Sequence, residues 1–202
     1  MRAIGALATP TSYEIKIPSE YDLDKNKSQK MLVLVEQPAW TASEANIRLY
    51  LTQAIEGHLT DKIDIKPEMF VLYRKLADMR NNSADFATLS PVEIGKALDA
   101  NMVLYVIIDD FGLYALSDAG YYRGQLDIRS GLYNVASGQR LWPESGGLRA
   151  VSVGVEMQKE HEKTAQRLAN SMAKCIVRYF YDCPKPEFKI ADERKNETLE
   201  SQ

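Results

Sequence analysis

Ser90-Pro91-Val92-Glu93-Ile94-Gly95-Lys96-Ala97-Leu98-Asp99-Ala100-Asn101, running directly into Met102-Val103-Leu104-Tyr105-Val106-Ile107-Ile108, decides the fold. Ser90 can cap a helix, Pro91 suits its first position, and Glu93 stands where a capping box needs an acid. The spacing predicts a short helix with Ile94, Ala97 and Leu98 facing inward, ending near Ala100-Asn101. The run Met102–Ile108 is too short for a helix and suits a strand covered on both faces. A helix that hands over at once to a buried strand is the closing half of a βαβ unit.

Toward the N-terminus the same grammar repeats. Met31-Leu32-Val33-Leu34-Val35 reads as the first central strand. Thr41-Ala42-Ser43-Glu44 supplies hydroxyls and an acid for a helix start, and Ile47, Leu51, Ala54, Ile55 and Leu59 recur at helical spacing, with an end expected near His58. Lys66-Pro67-Glu68 restarts the chain into Met69–Tyr73, read as a second strand, and 74–85 reads as a polar excursion. Strand, helix, strand, helix, strand is the order of a partly parallel sheet with helices packed on it. Further out, Tyr13–Pro18 alternates like a short edge strand closed by proline, and Asp22–Lys30 reads as a charged surface loop.

Beyond Ile108 the pattern changes. Gly112, Gly120, Gly124, Gly131, Gly138, Gly146 and Gly147 punctuate short stretches, which predicts antiparallel strands over 124–136, 139–142 and 148–155. Gln125-Leu126-Asp127-Ile128-Arg129 alternates apolar and polar residues, so one face of that sheet is wet. A long amphipathic helix is expected over 158–181, with Ala165, Leu168, Met172, Cys175, Ile176 and Tyr179 on its apolar side. The expected fold class is therefore α/β (α+β): one sandwich domain over 30–183, a mixed sheet of about five strands with a parallel βαβαβ N-terminal half and an antiparallel C-terminal half, and a long C-terminal helix. Residues 1–29 form an N-terminal extension and 184–202 a charged, flexible tail on which Phe188 and Ile190 could dock.

Composition narrows the functions. The chain has 202 residues, 45% hydrophobic and 26% charged, the balance of a folded domain. With 25 basic and 28 acidic side chains the net charge is −3, which offers no positive field for a phosphate backbone, and nucleic acid is not an expected partner. No stretch reaches the roughly 18 apolar residues of a membrane-spanning helix. The apolar run Ala3–Ala8 falls short of a signal-peptide core, and no lipid-accepting cysteine follows it.

Two histidines and two cysteines limit the chemistry. Cys175 and Cys183, if both helical, stand roughly 12 Å apart at 1.5 Å per residue, beyond disulfide reach. His58 and His161 have no ligand-spaced companions. Neither a G-x-x-x-x-G-K-[ST] loop nor a G-x-G-x-x-G or G-x-S-x-G motif occurs. No catalytic residue, cofactor or metal is therefore assigned. Asp109-Asp110, at the expected end of the strongest strand, could hold a divalent cation or act as an acid–base pair; solvated charge ending a strand is the plainer reading. Tyrosine is abundant, with eleven, and Tyr114, Tyr121 and Tyr122 flank the best candidate for an exposed contact loop, Phe111–Tyr122. Asp109, Asp110, Tyr114, Tyr121 and Tyr122 are the candidate binding residues.

The helix Ser90–Leu98 followed by Asp99–Val106, together with Asn134-Val135-Ala136-Ser137-Gly138-Gln139-Arg140-Leu141-Trp142, resembles a group of bacterial envelope lipoproteins. In that group "E-I-G-K-x-L-x-A-D-x-V-L" precedes a strand and "D-V-x-T-G-x-x-x-W" follows it. The group includes the curli secretion channel subunit, lipoprotein activators of penicillin-binding proteins and the N-terminal domain of the Tol-system propeller protein. The likeness spans about residues 30–180. It implies an α/β sandwich in a periplasmic or outer-membrane-associated setting, with cytoplasmic location left open, and carries no catalytic residues. The expected function is a non-enzymatic accessory or assembly protein that binds a protein partner of the envelope. Self-association is compatible with it, and membrane attachment is expected only through a lipid anchor not present in these residues. The alternative is a small-molecule or nucleotide-binding module at the sheet edge near Asp109 and Asp110. A hydrolase would need a nucleophile and base that these residues do not assemble.

Overall fold

Every residue of Met31–Val35 is buried, which requires cover on both faces of the strand they form. The computed structural model describes residues 15–38, 46–117, 121–158 and 160–185. In chain order the elements are β1 (Lys16–Ile17), β2 (Met31–Glu36), α1 (Ile47–Ile63), α2 (Tyr73–Asn82), α3 (Pro91–Ala97), β3 (Met102–Ser117), β4 (Tyr121–Asn134), β5 (Arg140–Trp142), β6 (Arg149–Gln158), α4 (His161–Val177) and β7 (Cys183–Pro184).

β2 lies parallel to β3, with Met31 beside Met102 and Glu36 beside Ile107. β3 is antiparallel to β4, and β4 carries β5 and then β6 along its other side. This is the mixed five-stranded sheet. Met31, Val33 and Val35 turn to one face and meet Leu51, Ile55 and Leu59 of α1 and Leu168, Met172 and Ile176 of α4 in one core. Leu32, Leu34 and Val103 turn to the other and pack with Leu76 of α2, with Phe86 from the 3-10 turn between α2 and α3, and with Ile94 of α3. Both faces of the parallel pair are thus sealed, as unbroken apolar runs require.

The capping box at Ser90 forms as expected: Ser90 Oγ accepts from Glu93 N, and the Glu93 carboxylate accepts from Ser90 N at 2.7 Å. These hydrogen bonds hold the Glu93 carboxyl below its ordinary value. Ile94 is buried, but Ala97 is exposed. Gly95 takes the inward position instead, because a Cβ there would stand 2.5 Å from Val103 Cγ2 and 2.9 Å from Val135 Cγ2. The helix lies too close to the sheet for any larger residue.

Several expected elements differ. Met69–Tyr73 is not a strand: Pro67–Met69 form a 3-10 turn, Phe70 makes a single parallel bridge with Met31, and Val71 N donates to Met31 O at 2.8 Å. Only Phe70 and Val71 of that run are buried, so it anchors at one point while the polar stretch after it coils into α2 on Leu76. α1 continues past His58 because Leu59 and Ile63 extend its buried stripe, and it stops where Asp64 takes a left-handed φ of 61°. α4 is shorter than 158–181, since Gln158 still belongs to β6.

The 22–30 segment is not simply a surface loop. Leu23 is buried in a short 3-10 turn, and Glu20 N and Tyr21 N both donate to Tyr179 O. β1 pairs antiparallel with β7, which ties both ends of the described chain together. Cys175 and Cys183 are buried thiols on separate elements. The expected cap at 41–44 and the docking residues Phe188 and Ile190 lie outside the described residues, as does the segment 1–10.

Candidate interaction face

β3 does not end at Asp109-Asp110. It runs on to Ser117, and its pairing with β4 steps from Ile108↔Ile128 to Asp110↔Asp127, which makes Asp109 the extra residue of a β-bulge. Asp109 is thereby aimed at Arg129 one rung back. Arg129 Nε and Nη2 donate to its two carboxylate oxygens at 2.8 and 2.7 Å. The hydrogen bonds to Asp109 push the guanidinium's pKa further up. Both side chains remain well exposed.

Strand alternation then assigns the faces. Leu126, Ile128, Val151, Val153 and Val155 join the core beneath α4. Gln125, Asp127 and Arg129, with Ala150, Ser152 and Gly154 beside them, point the other way. Asp110 and Asp127 are directly opposed on this outer face. Asp127 Oδ2 accepts from Gln125 Nε2 at 3.0 Å, while Oδ1 is buried with no hydrogen-bond partner among the described residues. Tyr114 is 52% exposed, and its ring lies back over Gly112, where a Cβ would collide with it.

α2 and α3 cover only the lower part of this face, against β2 and the start of β3. Tyr105 closes that covered part, edge-on to Tyr133 at 6.4 Å between ring centroids, and burial pushes its hydroxyl pKa up. Above Tyr105 no described helix lies over the strands. Asp109, Asp110, Tyr114 and Tyr121 share this open surface. Tyr122, one residue on, faces the opposite side and stacks edge-on against His161 at the start of α4, 5.6 Å between centroids. The expected loop 111–122 is instead the upper part of the β3–β4 hairpin, with Phe111 buried; 118–120 lie outside the described residues.

Asp127 and Arg129 were not singled out from sequence, although the alternation of 125–129 marked their face as wet. What brings them to Asp109 and Asp110 is the bulge, which leaves no trace in residue order. Among the described residues no group of three or more His, Cys, Asp or Glu side chains could hold a metal ion.

Concavities among the described residues lie elsewhere, and two of them border charged hydrogen bonds. A groove of about 620 Å³ runs beside Glu20, Trp142, Pro143, Leu148 and Arg149. In it Glu20 Oε2 accepts from Trp142 Nε1 at 2.9 Å and from Arg149 Nη2 at 2.5 Å. A smaller cleft of about 220 Å³ opens at the carboxyl end of β2, lined by Glu36, Phe86, Leu89, Tyr105 and Ile107 among others. Beside it Arg80 Nη2 donates to Glu36 at 2.9 Å and to Val35 O at 3.2 Å.

The fold and the face define a mixed α+β protein with a half-open sheet. No protein-family model matches the chain, and no curated protein matches it in sequence. Among solved structures it is loosely similar in fold to lipoprotein GNA1162 of Neisseria meningitidis, with 14% identity over 73% of this chain and 96% of that one and a TM-score of 0.44. The PelC dodecamer of Paraburkholderia phytofirmans is similar at 8% identity, covering 81% and 90% of the two chains, with a TM-score of 0.43. Protein CT253 of Chlamydia trachomatis is similar at 8% identity over 85% and 92%, with a TM-score of 0.38. No helix among the described residues is long and apolar enough to cross a membrane.

Proposed function

We propose that this chain is a non-enzymatic accessory or assembly protein of the bacterial cell envelope, periplasmic or held at the outer membrane, that works by contacting another protein through the outer face of β3, β4 and β6. The observation that carries the contact is the uncovered strand surface on which Tyr114 is exposed, its ring over Gly112, and which also presents the exposed Asp109–Arg129 pair. An amphipathic ring bordered by hydrogen-bonding charges is the composition of a protein-binding patch. The envelope setting rests on the two signatures around Ser90–Val106 and Asn134–Trp142, which resemble those of the curli secretion subunit, penicillin-binding-protein activators and the Tol propeller protein.

A photo-crosslinking residue at position 114, in cells expressing the full gene, is expected to give an adduct of one defined mass; the same residue at Lys174, exposed on α4, is expected to give none. Equal labelling at both positions overturns the contact. Cell fractionation tests the setting, and a purely cytosolic product overturns it.

A ligand-binding module is the rival reading. The cleft beside Glu36, at the carboxyl end of the parallel pair, favours it, because ligands of open α/β sheets sit there. A thermal shift with nucleotides or divalent cations that Asp109→Asn or Glu36→Gln abolishes would support it over protein binding.

A further inference from the structure

The upper sheet, β3–β4–β6, has two edges, and they are built differently. From Ile108 on, β3 has passed the end of β2, whose last pair is Glu36↔Ile107. That edge carries two register shifts, at Ile108/Asp110 and Ala115/Ser117, and two consecutive acids. Bulges and charges are the devices by which edges avoid pairing with other chains. β6, the opposite edge, has none of them over Ala150–Val155: no proline, no charged side chain and no break in its register with β4 from Arg129↔Ala150 to Gly124↔Val155.

The direction of its backbone groups follows from β4. Asn134 N donates to Gln139 O on the β5 side, and Val135 N to Asn101 O on the β3 side. Both register shifts insert the extra residue in β3, so β4 itself alternates without a break and its even-numbered residues direct N–H and C=O toward β6. They meet Val151, Val153 and Val155. The N–H and C=O groups of Ala150, Ser152 and Gly154 therefore point away from the sheet. None of them has a backbone partner among the described residues.

Such an edge takes an extended strand. We infer that the strand is β6 of a second copy, joined antiparallel about a two-fold axis near Val153. β6 is itself unsatisfied in the complementary pattern, and the two-fold places Ser152 opposite Gly154 and Val151 opposite Val155 of the second copy. On the outer face the two residues that flank the axis, Ser152 and Gly154, are small, so nothing holds the backbones apart there, and Ala150 falls opposite Glu156 of the second copy. On the core face the opposed residues are valines, each already buried in its own copy's core, and the second copy's β6 extends the row Phe111, Leu126, Val153. An isologous contact of this kind closes after two copies.

This inference does not rest on the proposed partner face, and its test is separate. Light scattering of the purified full chain across a dilution series is expected to give twice the chain mass, falling to one at low concentration. Ser152→Pro removes an outward N–H and leaves the β4 ladder intact; Ala150→Glu sets an acid opposite Glu156 of the second copy, and like charges directly opposite destabilise a strand pair. Both are expected to be monomeric with an unchanged far-ultraviolet circular dichroism spectrum. Amide exchange locates the junction: the amides of Ala150, Ser152 and Gly154 should slow by about tenfold or more on concentrating the wild type, while Val151, Val153 and Val155 stay protected throughout. A monomeric wild type, a dimer whose Ala150, Ser152 and Gly154 amides still exchange fast, or protection independent of concentration, as a covering segment of the same chain would give, overturns the inference. So does an Ala150→Glu protein that remains dimeric.

Discussion

Asp109 meets Arg129 through two parallel hydrogen bonds, 2.8 and 2.7 Å long, although strand register alone would set Arg129 opposite Ile107. The bulge turns the extra acid back onto that rung. It gives the open face a fixed charge pair beside the opposed carboxyls of Asp110 and Asp127. Because both partners are exposed, the pair orients the surface more than it stabilises the fold. Asp109→Ala is expected to cost no more than about 1 kcal/mol in urea unfolding, and a larger loss would show that the bulge itself depends on the ion pair.

Glu20 is different. It joins the N-terminal segment to the buried Trp142 and to Arg149, whose guanidinium also stacks on Tyr179, 5.1 Å from the ring centroid. Glu20→Ala leaves an indole N–H without its acceptor in the core, and about 1–3 kcal/mol of destabilisation is expected in the same assay. Glu20→Gln, which keeps an acceptor oxygen, should recover part of it.

Glu56 on α1 is partly buried, and desolvation pushes its carboxyl up to about 7. The folded protein therefore holds a proton that the unfolded chain releases near pH 4.5. Stability from this group is complete below that value and is lost as pH rises through about 7. The full penalty is about 3 kcal/mol. Glu56→Gln is expected to raise the melting temperature at pH 8 and to leave it unchanged at pH 4. A gain of the same size at both pH values would count against a buried protonated acid.

Gly95 separates two opposing effects. Helix propensity favours alanine there by about 1 kcal/mol, while the approach of Val103 and Val135 leaves no room for a Cβ. Overpacking of this kind costs about 1–3 kcal/mol. Gly95→Ala is expected to destabilise, and Ser90→Ala, which removes the cap of the same helix, to cost about 1 kcal/mol. A thermal melt in which Gly95→Ala is stabilised would mean that α3 can lift from the sheet.

Residue order by itself determined the elements whose signals are local. The Ser90 cap, the unbroken apolar runs Met31–Val35 and Met102–Ile108, and the stripe of α4 follow from covalent spacing and need no knowledge of neighbours. They also imply the parallel pair, since strands sealed on both faces with a helix between them have few other arrangements. Met69–Tyr73 misled because a short apolar run reads alike whether it pairs along its length or anchors at Phe70 alone. Leu59 and Ile63 show the same limit at a helix end, where burial extended α1 beyond His58.

Only the tertiary structure decided which side chains share a surface. Asp109, Asp127 and Arg129 are brought together by one inserted residue in a ladder, and that insertion is a property of the pairing between β3 and β4, not of either strand alone. Tyr121 and Tyr122 part to opposite faces for the same reason, because strand alternation is fixed once register is set. The contrast between a bulged, acidic β3 edge and an unbroken β6 edge likewise exists only after the sheet has formed, when backbone groups that every residue carries are either used or left pointing outward.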